Sequence, residues 1–276
     1  MLIDQNTSLF GVVGHPLRHS LSPVMHNTAF EVTQLNAVYV AFDAENIKDF
    51  ICGVRAFGVR GVSVTIPYKS RVIKMLDELD ETAEKIGAVN TIVNRDGRLI
   101  GFNTDAIGAF EALEEKIPVQ GKSCIIIGAG GAARAIGYIL KEKGVDLRIT
   151  NRSRKRGEEF ADLLSCPFIP MDRIEGADAD IIVNATPVGM FPEVDRCPVP
   201  AKTFKKGMIV MDVIYNPLKT RLLSAAESRG CFVINGISMF IRQGAEQFRL
   251  WTGLEPPLEE MRQAVLRGLQ TVCCKE

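Results

Sequence analysis

Short apolar runs alternate with stretches of helical period along nearly the whole chain. The runs at 10–14, 37–43, 59–66, 124–128, 147–151, 180–184, 208–212 and 231–235 are rich in Val, Ile and Phe, the residue types that favour strands. Their spacing is the rhythm of parallel sheets with helical crossovers. Two further strand-like runs, 89–94 and 99–103, flank Asp96 and Gly97. That pair reads as a hairpin turn, so antiparallel strands interrupt the parallel pattern there. Ser22 followed by Pro23 predicts a helix start, the serine oxygen capping free amides and the proline losing no bond at the first helical position. The loop 14–21 then ends at a helix N-terminus. At the far end Phe240, Gly244, Phe248 and Trp251, and then Leu258, Met261, Val265, Leu269 and Val272, recur every three or four residues. Two amphipathic helices are expected to close the chain. No internal repeat and no low-complexity linker marks a domain boundary.

A chain of 276 residues exceeds the usual single core, and two α/β domains, each with its own core, are expected. Lys plus Arg equals Asp plus Glu at 33 each, so no overall field draws nucleic acid or an acidic membrane, and any anion site must be local. The first seven residues carry Asp4 and no apolar stretch of signal-peptide length, and no apolar run reaches spanning length. A soluble, cytoplasmic protein follows as the expectation, with a homodimer left open. The seven cysteines are odd in number, form no CxxC pair, and include Cys124 inside an apolar run. They read as reduced, mostly structural thiols; for Cys273 and Cys274 exposed tail thiols are the favoured reading and a redox-active pair the alternative.

The run 124–128 leads straight into GAGGAARA at 128–135, followed by a helical stretch. Strand, glycine turn and helix together form the context a dinucleotide-binding loop requires. Gly128 permits the tight turn, Gly130 and Gly131 let the backbone approach a pyrophosphate with Ala129 before and Ala132 after them, and the helix N-terminus presents amides and a positive dipole end. After the next strand an NAD site offers a carboxylate to the ribose. This chain offers Asn151, Arg152, Ser153, Arg154, Lys155 and Arg156 instead. Four cations without a carboxylate suit a 2′-phosphate, which arginine can hold in a bidentate fork, so NADP is the expected cofactor. The same cations at a helix start oppose its dipole, and an anionic ligand relieves that opposition.

The other dense segment is GHPLRHSLSPVMHN at 14–27, which holds all three histidines. His15 and His19 are four apart, but Pro16 breaks a helix there and no Cys or carboxylate cluster accompanies them, so no metal is expected. Ser20 and Ser22 offer hydroxyls beside a helix start, a cradle for a small carboxylate. VSVTIPYK at 62–69 is a strand breaking at Pro67 with Lys69 just beyond, where this segment alone favours an ordinary surface cation. Asn90 and Thr91 open the next strand, and GFNTD at 101–105 ends with Asp105 at an expected helix cap.

These segments, with GAVNT at 87–91, NRS from 151, NATPVGM at 184–190, DVIYNP at 212–217 and the helix of Gln243, resemble the shikimate dehydrogenase family in order and over essentially the whole chain. The resemblance implies an α/β enzyme of two domains. A mixed, mostly parallel substrate domain would comprise 1–105, with the C-terminal helices of 238–276 returning to it, and a Rossmann-type NADP domain would span 106–237, the active site lying in the cleft. It implies reversible, NADPH-dependent reduction of 3-dehydroshikimate to shikimate. Position by position, it assigns the substrate carboxylate to Ser20, Ser22 and Tyr215, the ring and its hydroxyls to Thr65, Asn90, Asp105 and Gln243, and catalysis to Lys69 with Asp105. Val213 and Gly236 would line the nicotinamide through their backbone. Asn235 before Gly236, and Phe240 after Met239, depart from the family pattern. A lysine in water titrates near ~10.4 and is an acid ready for carbonyl reduction. Quinate or aminoshikimate oxidation is the neighbouring alternative, and an NADP-binding sensor without turnover is the alternative of another class. Tyr215 and Lys219 form the YxxxK of short-chain dehydrogenases, but Pro217 between them breaks the helix that motif needs.

Overall fold

The computed structural model describes residues 3–17 and 20–273, the last three of these by backbone alone. His19, Cys274 and the side chain of Cys273 lie outside the described residues. The chain divides into two compact α/β units, Met1–Thr104 with Ile241–Glu276, and Asp105–Phe240.

In the first unit β1 (Ser8–Gly14), α1 (Ser22–Val32), β2 (Ala37–Asp43), α2 (Ile47–Ala56), β3 (Gly61–Val64), β4 (Glu78–Leu79), α3 (Glu81–Ile86), β5 (Thr91–Arg95) and β6 (Arg98–Phe102) follow in order. The sheet order is β2-β1-β3-β5-β6-β4. Only β5 runs against its neighbours, pairing antiparallel with β3 and β6. The reversal is made by Asp96 and Gly97 at φ 52° and 92°, the left-handed pair that a two-residue hairpin of this twist demands. One sheet face buries Val13, Val62, Val64 and Ile92 against Ile47, Ile51 and Val54 of α2. On the other, Phe10 meets Phe30 and Trp251 with ring centroids 5.1 and 5.5 Å apart. The run expected as a strand over 59–66 shortens to β3, because Val59 still bonds back to Val54 and the chain turns at Thr65, whose carbonyl accepts from Tyr68.

The second unit contains α4 (Asp105–Glu114), β7 (Ser123–Ile127), α5 (Gly131–Glu142), β8 (Asp146–Thr150), α6 (Arg154–Leu163), β9 (Ile181–Asn184), β10 (Ile209–Asp212), α7 (Arg221–Ser228) and β11 (Phe232–Ile234). Its strands are all parallel, in the order β11-β10-β9-β7-β8. A single parallel bridge from Phe168 to Ile149 adds a rudimentary strand beyond β8. With it the order is that of a dinucleotide-binding sheet, reversing between β7 and β9. The apolar run in β7 is continuous because alternate side chains serve two cores. Cys124 and Ile126 pack with Ala133, Ile136 and Leu140 of α5, whereas Ile125 and Ile127 pack with Leu222, Leu223 and Ala226.

The closing helices are α8 (Gly236–Thr252) and α9 (Leu258–Cys273). The stripe of α9 buries Met261, Val265 and Leu269, but Leu258 is 48% exposed; it opens the first turn, ahead of the packed part of the face. No helix among the described residues is long and apolar enough to cross a membrane. Cys52, Cys124, Cys166, Cys197 and Cys231 are free thiols.

Candidate active site

In the second unit the carboxyl ends of β7 and β8 bring the glycine turn and the cation cluster side by side. Ile127 pairs with Thr150, and Gly128 N donates to the Thr150 carbonyl at 2.8 Å. Gly128 sits at φ +122°, and a Cβ there would come within 3.1 Å of the Ala185 carbonyl. The backbone angle strains any side chain there, and the close carbonyl crowds it. Around Gly130 a Cβ would meet nothing of the protein within 4 Å. Packing does not explain that glycine. Gly130 precedes α5 without a side-chain cap, so no side chain takes up the first amides of the helix, where its dipole favours an anion. Ala133, where a third glycine often stands, is buried between helix and sheet. The loop after β8 carries Asn151, whose amide donates to the Ser153 carbonyl at 2.9 Å. Arg152, Ser153, Arg154, Lys155 and Arg156 are exposed around the start of α6. Arg154 pairs with Glu158 at 2.8 Å, so one cation already has a carboxylate one turn on. The residues present fit a nicotinamide dinucleotide bearing a 2′-phosphate.

The next two strand ends are tied by a buried carboxylate that the sequence did not single out. Asp212 accepts from Asn184 Nδ2 at 3.0 Å, Ile214 N at 3.1 Å and Thr220 Oγ1 at 2.7 Å. Asn184 Oδ1 accepts from the amide and hydroxyl of Thr186, and its carbonyl accepts from Val213 N at 3.1 Å. Val213 and Tyr215 thus leave β10 on a loop held from two sides. Tyr215 packs on Phe240 with ring centroids 4.5 Å apart. Gly236 lies where a Cβ would be 2.3 Å from the Val213 carbonyl. Asn235 accepts from Ile237 N at 3.2 Å, so this departure from the family pattern closes the first turn of α8.

Burial pushes the Asp212 carboxyl up to about 6 against the three donors that favour its charge. Because the folded-state value lies above the unfolded one, the stability this group contributes is fully present below the ordinary carboxylate range and is lost as pH rises through about 6. Relative to Asp212→Asn, the wild-type protein should lose up to roughly 3 kcal/mol between about pH 4 and pH 7, measured by urea unfolding across that range. Parallel pH profiles for the two proteins would contradict it.

In the first unit four loops meet at one end of the sheet. Thr65 N donates to the Val13 carbonyl at 2.9 Å, His15 N to Ile66 at 3.1 Å, Val64 N to Asn90 at 2.7 Å and Val89 N to Lys69 at 2.8 Å. Lys69 is half-buried and follows Tyr68, whose hydroxyl donates to the carbonyls of Ala44 and Glu45 at 2.6 and 2.8 Å. The lysine is therefore held at its Cα from both sides. Asn90 Nδ2 donates to Gln243 Oε1 at 3.3 Å, joining two predicted substrate contacts directly. His15 pairs with Asp43 at 2.7 Å. His26 is wholly buried and stacks on Tyr39 at 4.5 Å, and burial lowers its imidazole to about 3, with Gln247 opposing. Among the described residues no three His, Cys, Asp or Glu side chains gather as a metal site would require.

Two expectations need correction. Ser22 does not cap α1: it is the first helical residue, Leu21 is the half-in residue, and no side chain caps that end. Leu21 is buried, and with it as the half-in residue the helix starts one residue earlier than expected, Ser20 Oγ accepting from Ser22 N at 3.3 Å. Asp105 likewise is the first residue of α4 rather than its cap. It is buried at a position where the helix dipole favours an anion. Gln247, a buried partner of the Asn90 carbonyl, and Ser63 and Tyr39, which follow it in the same buried network, carry no sequence signal, because each looks like an ordinary core or surface residue in its own segment.

Three family models match the chain: the shikimate dehydrogenase substrate binding domain over 12–92, shikimate / quinate 5-dehydrogenase over 111–192, and the shikimate 5′-dehydrogenase C-terminal domain over 236–266. The shikimate dehydrogenase (NADP(+)) of Methanocaldococcus jannaschii is 47% identical over 278 residues, 96% of this chain and 98% of its own. A crystal structure of shikimate dehydrogenase in complex with NADP+ superposes with a TM-score of 0.93 at 45% identity, covering 97% of this chain and 98% of that one. The shikimate 5-dehydrogenase of Thermus thermophilus in complex with NADP(H) and shikimate superposes with a TM-score of 0.89 at 39% identity, over 95% of this chain and 100% of that one.

Proposed function

The chain belongs to the shikimate dehydrogenase family, and from that premise we propose how its own side chains serve the reaction. It is an NADP-dependent oxidoreductase acting on a CH–OH group, reducing 3-dehydroshikimate reversibly to shikimate. NADPH, when bound, supplies the hydride that adds to the carbonyl carbon. Lys69 gives the proton to the carbonyl oxygen and recovers one from solvent, and Asp105 is the second catalytic residue, acting on the ring hydroxyl. Ser20, Ser22 and Tyr215 hold the carboxylate; Thr65, Asn90 and Gln243 hold the ring and its hydroxyls. The amides of Gly128, Ala129, Gly130, Gly131 and Ala132 receive the pyrophosphate. Asn151, Arg152, Ser153, Arg154, Lys155 and Arg156 receive the 2′-phosphate, and the backbone of Val213 and Gly236 lines the nicotinamide. The observation that carries the NADP assignment is the loop after β8, with four cations and no carboxylate where an NAD site offers one.

The test is a grid of initial rates, with shikimate or quinate as the alcohol and NADP+ or NAD+ as acceptor, followed by the absorbance of the reduced nicotinamide. Turnover of shikimate with NADP+ is expected to exceed the other three combinations. Silence in all four would favour the sensor reading, and quinate ahead of shikimate would move the substrate assignment. Replacing Arg152 and Arg154 together by alanine should raise KM for NADP+ roughly 10- to 100-fold, as expected for lost charge-assisted hydrogen bonds. KM for NAD+ should hardly move. An equal loss for both acceptors would place the phosphate elsewhere.

A further inference from the structure

We propose that Gln247 is a positioning residue for Asn90, the middle link of a buried one-way hydrogen-bond chain running from Tyr39 through Ser63, Gln247 and Thr91 to the Asn90 side chain. The proposal rests on reading Asn90 as a substrate contact. Tyr39, Ser63, Thr91 and Gln247 are all buried. Tyr39 OH donates to Ser63 Oγ at 2.6 Å, and Ser63 Oγ donates to Gln247 Oε1 at 2.8 Å. Gln247 Nε2 donates to Thr91 Oγ1 at 3.0 Å and to the Asn90 carbonyl at 3.2 Å. Thr91 Oγ1 donates to Asn90 Oδ1 at 2.8 Å.

The sense of this chain follows from two backbone groups. A carbonyl only accepts, so the Gln247 atom facing the Asn90 carbonyl is nitrogen, and its oxygen must face Ser63. Ser63 therefore spends its proton on Gln247, and its lone pairs take the proton of Tyr39. An amide N–H only donates, and Thr104 N points at Asn90 Oδ1 at 2.8 Å. The oxygen of Asn90 is thus turned inward, to Thr104 and Thr91, and its NH2 is the end left for partners outside the chain. That NH2 donates to Thr104 Oγ1 at 3.0 Å and to Gln243 Oε1 at 3.3 Å, and the second bond directs the amide group of Gln243 away from Asn90. Gln243 and Gln247 lie four apart on α8 and so share one face. Asn90 would otherwise be free to offer a ligand either a donor or an acceptor. The Thr104 amide sets which way the group faces, and the chain, through Thr91 Oγ1, holds the same oxygen from a second side, so that the end offered outward donates.

Thr91→Val removes one link with little change of shape, Thr91→Ser keeps it, and Gln247→Met removes the middle while preserving length. Wild-type protein and the three variants are compared for KM of shikimate and of NADP+, with thermal unfolding in parallel. Thr91→Val and Gln247→Met should raise KM for shikimate about tenfold, the effect of leaving a buried partner unsatisfied. Thr91→Ser should stay within about twofold of wild type on the same scale, and KM for NADP+ should stay put in all three. If Thr91→Val unfolds earlier yet keeps the wild-type KM for shikimate, the chain is only structural and the proposal falls. If Gln247→Met does not fold, the threonine pair decides alone. Failure of the wild-type protein to turn over shikimate would instead sink the underlying reading, and the proposal with it.

Discussion

Lys69→Ala is expected to lower kcat by roughly 10² to 10⁴ while leaving KM for shikimate nearly unchanged, the range that a positioned general acid contributes. The loop itself should survive the substitution. Its attachment runs through the Tyr68 hydroxyl on Ala44 and Glu45 and through the Lys69 carbonyl on Val89, none of which uses the lysine side chain. A fall confined to kcat therefore reports the lost proton donor and not a displaced strand end. Lys69→Arg should fail to restore the rate, because a guanidinium keeps its charge but surrenders its proton far less readily. The measurement is kcat and KM for both variants at saturating NADP+. A kcat near the wild-type value in Lys69→Ala would remove the lysine from the chemistry.

The second large effect is expected at Gly236. A Cβ there would stand 2.3 Å from the Val213 carbonyl and 2.6 Å from the Ile214 carbonyl carbon and oxygen, and these are backbone atoms that cannot swing aside. They are also pinned from behind, since Asp212 holds Ile214 N and Asn184 holds Val213 N. The added methyl must then displace either the start of α8 or the segment proposed to line the nicotinamide. Gly236→Ala should destabilise the protein by about 1–3 kcal/mol, the usual range for overpacking. It should also raise KM for NADP+ at least about tenfold, since a shift of this size in a positioning segment is costly to a bound cofactor. Gly176→Ala serves as the control, for a Cβ there meets nothing within 4 Å. Thermal unfolding and initial rates on the two variants check both parts, and a Gly236→Ala protein with wild-type NADP+ kinetics would dismiss that lining role.

The α/β architecture was legible because burial leaves a local mark. The continuous apolar run of β7 reflects packing on two faces, and the turn at Asp96 and Gly97 reflects a left-handed backbone that few residues tolerate. The glycine turn and the cations after β8 could be read for the same reason, since the elements carrying them are neighbours in sequence as well as in space. Short-range rules failed where a helix start depended on what the flanking residue packs against. Leu21 is buried, so α1 starts at Ser22 instead of being capped by it.

The sequence by itself settled the strand and helix rhythm, the dinucleotide loop, the lack of a ribose-binding carboxylate and the family motifs that point to Lys69 and Asp105. Only the tertiary structure decided which polar groups share a buried partner. Ser63 and Gln247 are 184 positions apart, and Asp212 draws Asn184 from 28 positions away. No periodicity links such residues. Hydrogen bonds act over about 3 Å, and a polar side chain inside a core takes whichever partner the folded backbone brings within that reach.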